Sequence, residues 1–210
     1  MICVSISDPL QLAPVLEAGA ELLELRLDLM GSLPGNFYKQ IPESVSYVAT
    51  CRPESHSIQE RIRMLSEAIE AGASYVDLEL DAPELYTEAL IRLAVDNSCE
   101  VIFSHHDFSS TPEQEELEDI LDKCFDRGAQ VAKIATRVSS KEETLRLLAL
   151  YALPGRKVVL GMGDEGRITR VAGPLLGGEF TFAAPGIGRE TAPGQLDYNG
   201  LHNIYKQLGI

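Results

Sequence analysis

The chain has 210 residues, of which 45% are hydrophobic and 24% are charged. That composition is typical of a globular protein, and the length suits one large α/β domain or two small ones. The formal net charge of -14 argues against a surface for nucleic acid or for anionic membranes, because both require clustered lysine and arginine.

Two further features of the composition indicate a cytoplasmic protein. No apolar run is long enough to span a bilayer, and the first residues lack a basic region followed by an apolar one. The cysteines at positions 3, 51, 99 and 124 show no C-x-x-C spacing. We therefore expect four reduced thiols rather than disulfides or a zinc site.

In chain order, short apolar runs typical of buried strands alternate with amphipathic stretches of helical periodicity. The first pair is a predicted strand at 2–6 and a predicted helix at 9–20 that closes on Gly19. Further strands are predicted at 22–28, 46–51, 74–80, 100–105, 130–136, 157–162 and 179–184. Helices are clearest at 57–72, 111–128, 140–153 and 196–209. The segments after the second and seventh strands are shorter and richer in glycine or proline, so the helical signal there is weak.

Strict alternation of strands and helices predicts a parallel sheet with helical cover. No composition shift or polar linker divides the chain, so we expect one domain over residues 1–210. Eight such units close most simply as a single α/β barrel, the (β/α)₈ or TIM barrel. An open doubly wound sheet is the alternative.

Charged residues alternate with apolar ones on two of the predicted strands. Glu24, Arg26 and Asp28 share one face of the second strand, and Asp77 and Glu79 share one face of the fourth. Parallel strands are usually covered on both faces, so these charges need an enclosed destination. The lumen of a barrel supplies one, close to the strand ends where active sites of such folds lie. Charge pairing without any function explains these acids equally well.

Lys133 lies in the middle of the short apolar segment VAKIAT, residues 131–136. A buried ammonium group is costly unless it is paired, discharged or used. Apolar surroundings and nearby cations lower the pKa of an amine and make it a nucleophile toward a ketone or aldehyde, which predicts an imine. Alternatively, the lysine extends to the barrel rim or pairs with Glu24 or Asp77.

The segment SHHDF, residues 104–108, places two histidines at the end of the preceding strand. His105 and His106 point to opposite sides of the chain, so only one easily faces the lumen. A histidine beside such a lysine can transfer protons, because its ordinary pKa of about 6.5 is close to neutral pH. A hydrogen-bonded loop histidine is the alternative, and we discount a metal site because no third nitrogen or sulfur ligand lies at metal spacing.

Candidates for ligand binding follow at strand ends and loops. The guanidinium groups of Arg26, Arg52 and Arg170 suit a carboxylate or phosphate of a substrate, although each alone could be a salt-bridge partner. The Pro-Gly segment TAPGQL, residues 191–196, is a predicted loop on the same face of the barrel. It either covers a ligand or is a solvent-facing turn.

Seven motifs follow one another along the chain: ELRLD (24–28), TCR (50–52), YVDLEL (75–80), SHHDF (104–108), AKIAT (132–136), GRITRV (166–171) and TAPGQ (191–195). Together they resemble type I 3-dehydroquinate dehydratase. The resemblance covers the chain from end to end and in order. It implies a (β/α)₈ barrel, usually a homodimer, without metal or organic cofactor. It also implies the shikimate-pathway reaction, from 3-dehydroquinate to 3-dehydroshikimate and water.

The same resemblance implies roles for individual residues. Lys133 forms the imine with the ketone of the substrate, His106 is the general acid and base, and Arg170 holds the substrate carboxylate. The remaining predicted substrate-binding residues are Ser5, Glu24, Arg26, Arg52, Thr191 and Gln195. Leu160 and Met162 are predicted to form an apolar wall of the pocket.

One segment departs from the pattern of the family. Many members follow the arginine of the TCR motif with a glutamate that orients the histidine, whereas this chain reads CRPESHSIQE at 51–60. Glu54, Glu60 and His56 are the candidates for that supporting role.

Two other functions fit part of the sequence. A class I aldolase uses the same barrel and imine, but it leaves SHHDF and TAPGQ unexplained. A non-catalytic ligand-binding barrel would have a charged lumen that pairs only with itself. The resemblance is also compatible with a fusion to shikimate dehydrogenase, which occurs in some relatives, and with either biosynthesis or quinate breakdown.

Overall fold

The computed structural model describes residues 1–53 and 56–209. Its strands are β1 (Ile2–Ile6), β2 (Leu22–Arg26), β3 (Ser46–Thr50), β4 (Tyr75–Glu79), β5 (Glu100–Asp107), β6 (Val131–Arg137), β7 (Lys157–Met162), β8 (Thr181–Ala184) and the short β9 (Leu196–Asp197). Its α-helices are α1 (Leu12–Glu17), α2 (Ile58–Glu70), α3 (Glu84–Asp96), α4 (Gln114–Asp126), α5 (Lys141–Ala149), α6 (Arg167–Leu175) and α7 (Tyr198–Leu208). All eight strands predicted from the sequence are therefore present.

The strands form one parallel sheet in the order β7-β6-β5-β4-β3-β2-β1-β8-β9. The two ends of this sheet approach each other, since the Glu179 N–H donates to the Lys157 carbonyl at 3.0 Å. Arg156 joins the same seam, 2.7 Å from both Glu100 and Glu179. A doubly wound sheet reverses its strand order at a switch point, whereas this order is sequential, with β1 between β2 and β8. The predicted (β/α)₈ barrel is confirmed.

Helical cover departs from strict alternation after β2. After β2 the chain forms only a 3₁₀ turn, Tyr38–Gln40, beside the buried ring of Phe37. The weak helical signal after β7 nevertheless yields α6. The helix predicted at 9–20 begins as a 3₁₀ turn at Pro9–Gln11, continues as α1 and is followed by Gly19 with a φ of +86°.

The period of two along the strands separates two packing layers. Leu23 and Leu25 of β2 belong to the large apolar cluster between the sheet and the helices, while Glu24 points into the lumen. A second apolar cluster fills the lower part of the lumen: Cys3, Leu22, Val48, Ile102, Val131, Ala135, Val158, Leu160, Phe180 and Phe182. Charged side chains occupy the lumen above most of this cluster, toward the carboxyl ends of the strands, as the sequence pattern predicts.

Among residues 1–53 and 56–209, no helix combines the length and the apolar character needed to cross a membrane. The four cysteines are free, and all are buried. Burial raises the pKa of the Cys99 and Cys124 thiols to about 12, so both stay protonated at neutral pH and are poor nucleophiles.

Candidate active site

A cavity of about 310 Å³ opens at the carboxyl ends of the strands. It is lined by every residue predicted for catalysis or substrate binding, namely Lys133, His106, Ser5, Glu24, Arg26, Arg52, Arg170, Thr191 and Gln195. The predicted apolar wall of Leu160 and Met162 lines it too. The fold thus brings distant parts of the chain together, and Gln195 reaches Ser5 through a 3.3 Å hydrogen bond across 190 positions.

Lys133 points from β6 into the lumen and is only 4% exposed. Its Nζ donates to Asp77 Oδ2 at 2.8 Å, lies 3.7 Å from Glu24 Oε1, and sits 4.2 Å from the centroid of the Phe182 ring. These neighbours offset the loss of hydration of the ammonium group. The lysine therefore does not extend outward, and the pairing with Asp77 that the sequence allowed is present.

Asp77 is held by several donors besides Lys133. Arg52 binds its two oxygens at 3.0 and 2.7 Å, and the Ser104 hydroxyl donates to Oδ1 at 2.6 Å. Burial alone would raise the pKa of the Asp77 carboxyl, but the positive charges of Arg52 and Lys133 outweigh it and hold the pKa well below its usual range. Asp77 is consequently a permanent anion beneath the amine.

Arg61 extends this charged network from the surrounding helices. It binds Glu79, which also accepts from Arg52 at 2.7 Å, and its Nε donates to the Cys51 carbonyl at 3.0 Å. Arg61 was not among the predicted site residues. Its position carries a signal, however, because it lies four residues before Leu65 on the buried stripe of α2, where a charge needs a partner.

His106 is half-buried on β5, the strand next to that of Lys133. Loss of water around the imidazole and the positive charges of Arg52 and Lys133 lower the pKa of His106 well below its ordinary value. The ring is therefore neutral at neutral pH and can accept a proton. His105 also lines the cavity, so both histidines reach it although strand neighbours point to opposite sides.

Three residues were candidates for orienting His106, and the structure describes the surroundings of two of them. Glu60 accepts from the Ser57 N–H at 2.9 Å and from the Ser57 hydroxyl at 2.7 Å, in a capping box at the start of α2. It is thus committed to the helix. Glu54 lies outside the described residues, and the Nδ1 atom of His56 is buried without a partner among the described residues.

Arg170 lies on α6 and is only 1% exposed. Its guanidinium reaches the carbonyls of Phe182 and Pro193 at 3.4 and 3.5 Å, and its Nε has no partner among the described residues. Burial lowers the pKa of Arg170 to about 10, which still leaves it protonated at neutral pH. Within the described ranges no carboxylate lies within 4.0 Å of it, so it is a cation available to an anionic ligand.

Close backbone contacts place Arg170 and the 191–195 loop at the cavity. A Cβ on Gly161, at the end of β7, would meet the Cα of Gly166 at 2.7 Å, so α6 can begin directly against that strand. Gly194 has a φ of +75°, and a Cβ there would meet the Gly163 carbonyl oxygen at 2.5 Å. Glycine at these positions is what lets the GRITRV and TAPGQ motifs pack against the same strand end.

The remaining predicted residues form the polar wall. Arg26 binds Asp28 at 3.0 and 2.7 Å, and the Thr50 hydroxyl donates to Glu24 at 3.1 Å. The Gln195 side chain accepts from the Thr191 N–H at 2.8 Å. These contacts hold hydroxyl, amide, carboxylate and guanidinium groups at the cavity, where they can bind a hydroxylated acid.

A family model described as type I 3-dehydroquinase matches residues 2–210. The chain belongs to this family. A relative named 3-dehydroquinate dehydratase, from Methanococcus maripaludis strain S2, is 34% identical over 222 residues and covers 99% of this chain and 100% of the relative. The family predicted from the seven motifs is thus confirmed.

Solved structures whose names include dehydroquinate dehydratase share the fold. The 3-dehydroquinate dehydratase from Geobacillus kaustophilus superposes with a TM-score of 0.87 at 26% identity, covering 99% of this chain and 90% of that chain. A structure from S. pombe AroM, named dehydroquinate dehydratase and shikimate dehydrogenase, gives a TM-score of 0.78 at 18% identity. It covers 99% of this chain and 44% of the S. pombe chain.

Proposed function

We propose that this cavity dehydrates 3-dehydroquinate to 3-dehydroshikimate through an imine on Lys133. The observation that carries the proposal is that one cavity is lined by a buried amine, a histidine whose pKa burial lowers, and a buried arginine that has no carboxylate partner among the described residues. The reaction itself is inferred from membership of the type I 3-dehydroquinase family. No observation favours the class I aldolase or the non-catalytic barrel over it.

Substrate binding follows from the charges of the cavity. Arg170 receives the carboxylate, because it has a fixed positive charge and no anionic partner among the described residues. The hydroxyl groups of the substrate are held by the other polar residues of the cavity wall, namely Glu24, Arg26, Thr191, Gln195 and Ser5. Arg52 donates to Asp77, Glu79 and Ser104, so we assign it the additional task of fixing these groups.

The chemical steps balance with the groups present. The ammonium of Lys133 and the ketone form a protonated imine and release one water, with the positive charge retained on nitrogen. The cationic imine withdraws electrons, so the adjacent carbon gives up a proton to neutral His106. The resulting enamine expels the tertiary hydroxyl, which takes the proton back from His106 and leaves as water. A second water hydrolyses the imine and frees Lys133.

Reductive trapping tests the proposed function. Borohydride added to enzyme and 3-dehydroquinate is expected to fix one ligand adduct on Lys133, which peptide mass spectrometry locates. In samples without borohydride, the conjugated enone of the product is expected to appear by its ultraviolet absorbance. Lys157 is a matched internal control, since it is also buried but donates to the Leu153 carbonyl outside the cavity. Enone formation without a Lys133 adduct would refute the imine, and absence of enone would refute the substrate.

We also infer a homodimer formed through a surface groove between α5 and α6. Leu145 and Ile168 are 65% and 52% exposed there, and the groove carries both cations and anions: Lys141, Arg167, Asp164 and Glu165. Arg167 and Asp164 already form an ion pair at 2.9 Å within the chain. A two-fold contact can bury the apolar side chains and pair Lys141 and Glu165 across the interface.

Sedimentation tests the homodimer. The wild type is expected at twice the chain mass of 22.9 kDa, and Leu145→Glu at the monomer mass. Leu85→Glu is the control, because Leu85 is 85% exposed on α3, away from the groove. A monomeric wild type, or a Leu85→Glu variant that dissociates equally, contradicts this interface.

Three other predictions remain open. The cytoplasmic location is supported by the four free, buried thiols, which suit a reducing compartment. The fusion to shikimate dehydrogenase stays a prediction. So does the choice between biosynthesis and quinate breakdown, because one site serves both.

A further inference from the structure

Asp77 stands out from the other acids of the lumen because it contacts the reactive amine without facing the cavity. Its side chain is 0% exposed, and the cavity lining includes Glu24 and Glu79 but not Asp77. Lys133 Nζ is 2.8 Å from Asp77 and 3.7 Å from Glu24. The ammonium group therefore lies between Asp77 and the space where a substrate would bind.

The donors around Asp77 hold it in one position and keep it ionised. Both of its oxygens bind Arg52, and Ser104 binds Oδ1. With its pKa held well below the usual range by Arg52 and Lys133, against the opposing effect of burial, Asp77 does not take up a proton at neutral pH. It cannot serve as the base that deprotonates the lysine.

The stoichiometry of imine formation gives such an anion a different use. An ammonium and a ketone yield a protonated imine and water, so two protons leave with the carbonyl oxygen and the nitrogen remains cationic. We propose that Asp77 is the fixed counter-ion of the protonated imine on Lys133, a role that rests on the proposed imine chemistry. The same anion then faces a cation in the free enzyme, as the ammonium, and at the imine stages, as the protonated imine.

Other charged or titratable groups also face Lys133 from the strands around it. They are Cys3 from β1, Glu24 from β2, Arg52 from the end of β3 and His106 from β5. Glu24 is the only competing carboxylate within 4.0 Å of Nζ among the described residues. It is also shared with the Thr50 hydroxyl and lines the cavity, where it can bind substrate. The closer contact and the complete burial favour Asp77.

The test compares Asp77→Asn with the wild type. We expect turnover to fall about 100-fold, because the cationic imine loses its partner in a buried site that still contains Arg52. The pH at which imine formation is half-maximal should also fall by about one unit or more, since removal of the anion favours the neutral amine. Imine formation is measured by rapid borohydride quench and mass spectrometry, in a His106→Ala background so that the histidine does not contribute to the profile.

Three variants serve as controls. Glu100→Gln also removes one negative charge, but at the opposite end of the barrel beside Arg156, so neither readout should change. Asp77→Glu restores the charge and should return the half-maximal pH toward that of the wild type. Glu24→Gln should move this pH by less than half the shift of Asp77→Asn, or by less than about half a unit if Asp77→Asn does not fold.

The outcomes separate the two proposals. If Asp77→Asn lowers turnover but leaves the pH profile of imine formation unchanged, Asp77 has only a structural role. If the half-maximal pH shifts more in Glu24→Gln than in Asp77→Asn, the counter-ion is Glu24. Either result overturns the inference. If Asp77→Asn does not fold, a shift of one unit or more in Glu24→Gln overturns it, and a smaller shift with a wild-type profile in Asp77→Glu supports it. A wild type that forms no Lys133 adduct contradicts the proposed function itself.

Discussion

Lys133→Ala is expected to lower the turnover of 3-dehydroquinate by at least about 10,000-fold, because it removes the amine that forms the imine. We expect this loss of turnover to reflect the missing amine and not a misfolded barrel, because the charged groups around Lys133 keep other partners. Asp77 keeps its two bonds to Arg52 and its bond to Ser104, so the variant leaves no unpaired carboxylate in the lumen. Turnover is measured from the ultraviolet absorbance of the conjugated enone.

Lys133→Arg is the matched variant for this prediction. It retains a cation beside Asp77 but cannot form an imine, so we expect the same loss of turnover. Thermal unfolding of both variants confirms that the barrel is folded. Residual turnover within tenfold of the wild type in either variant would show that Lys133 is not the nucleophile.

His106→Ala is expected to slow turnover about 1,000-fold while the imine still forms on Lys133. The histidine moves protons, whereas the lysine provides the electron sink, so the two losses differ in kind. Borohydride should trap the substrate adduct on Lys133 in this variant, and the trapped fraction should be at least that of the wild type because the imine is consumed slowly.

The pH profile gives His106 an independent signature. The neutral imidazole is the base, and burial with the charges of Arg52 and Lys133 lowers its pKa. At saturating substrate, where the imine has already formed, turnover of the wild type should therefore persist to a pH below about 6.5, the ordinary value for histidine, and be lost as the pH falls further. His106→Ala should lack this acid limb of turnover but keep the pH dependence of imine formation, which reports on Lys133. His105→Ala is the neighbouring control, and a larger loss of turnover there than in His106→Ala would assign the proton transfer to His105.

Local sequence patterns determined the architecture because they depend on properties of single elements. Alternation along β2 placed Leu23 and Leu25 against the helices and Glu24 in the lumen, as observed. On β6 both faces of the VAKIAT run are apolar, so the period did not show which way Lys133 points, and the structure places it in the lumen with Val131 and Ala135. The pattern failed where no periodic stretch was available, after β2, where the chain packs the buried Phe37 and a 3₁₀ turn instead of a helix.

Single segments of sequence were therefore enough to predict the barrel and the family, and each residue predicted for the site does line the cavity. They did not predict Asp81, Ser104 and Phe182, which line it as well. The pairing of the charges became visible only in the folded barrel. Lys133 lies closer to Asp77 than to Glu24, Arg61 from α2 binds Glu79, and Arg170 has no carboxylate partner among the described residues. This is so because the period of two fixes the face on which a side chain lies but not its height in the lumen. Height depends on the register between strands, such as Thr50 opposite Asp77 and Ser104 opposite Lys133, which no single segment encodes.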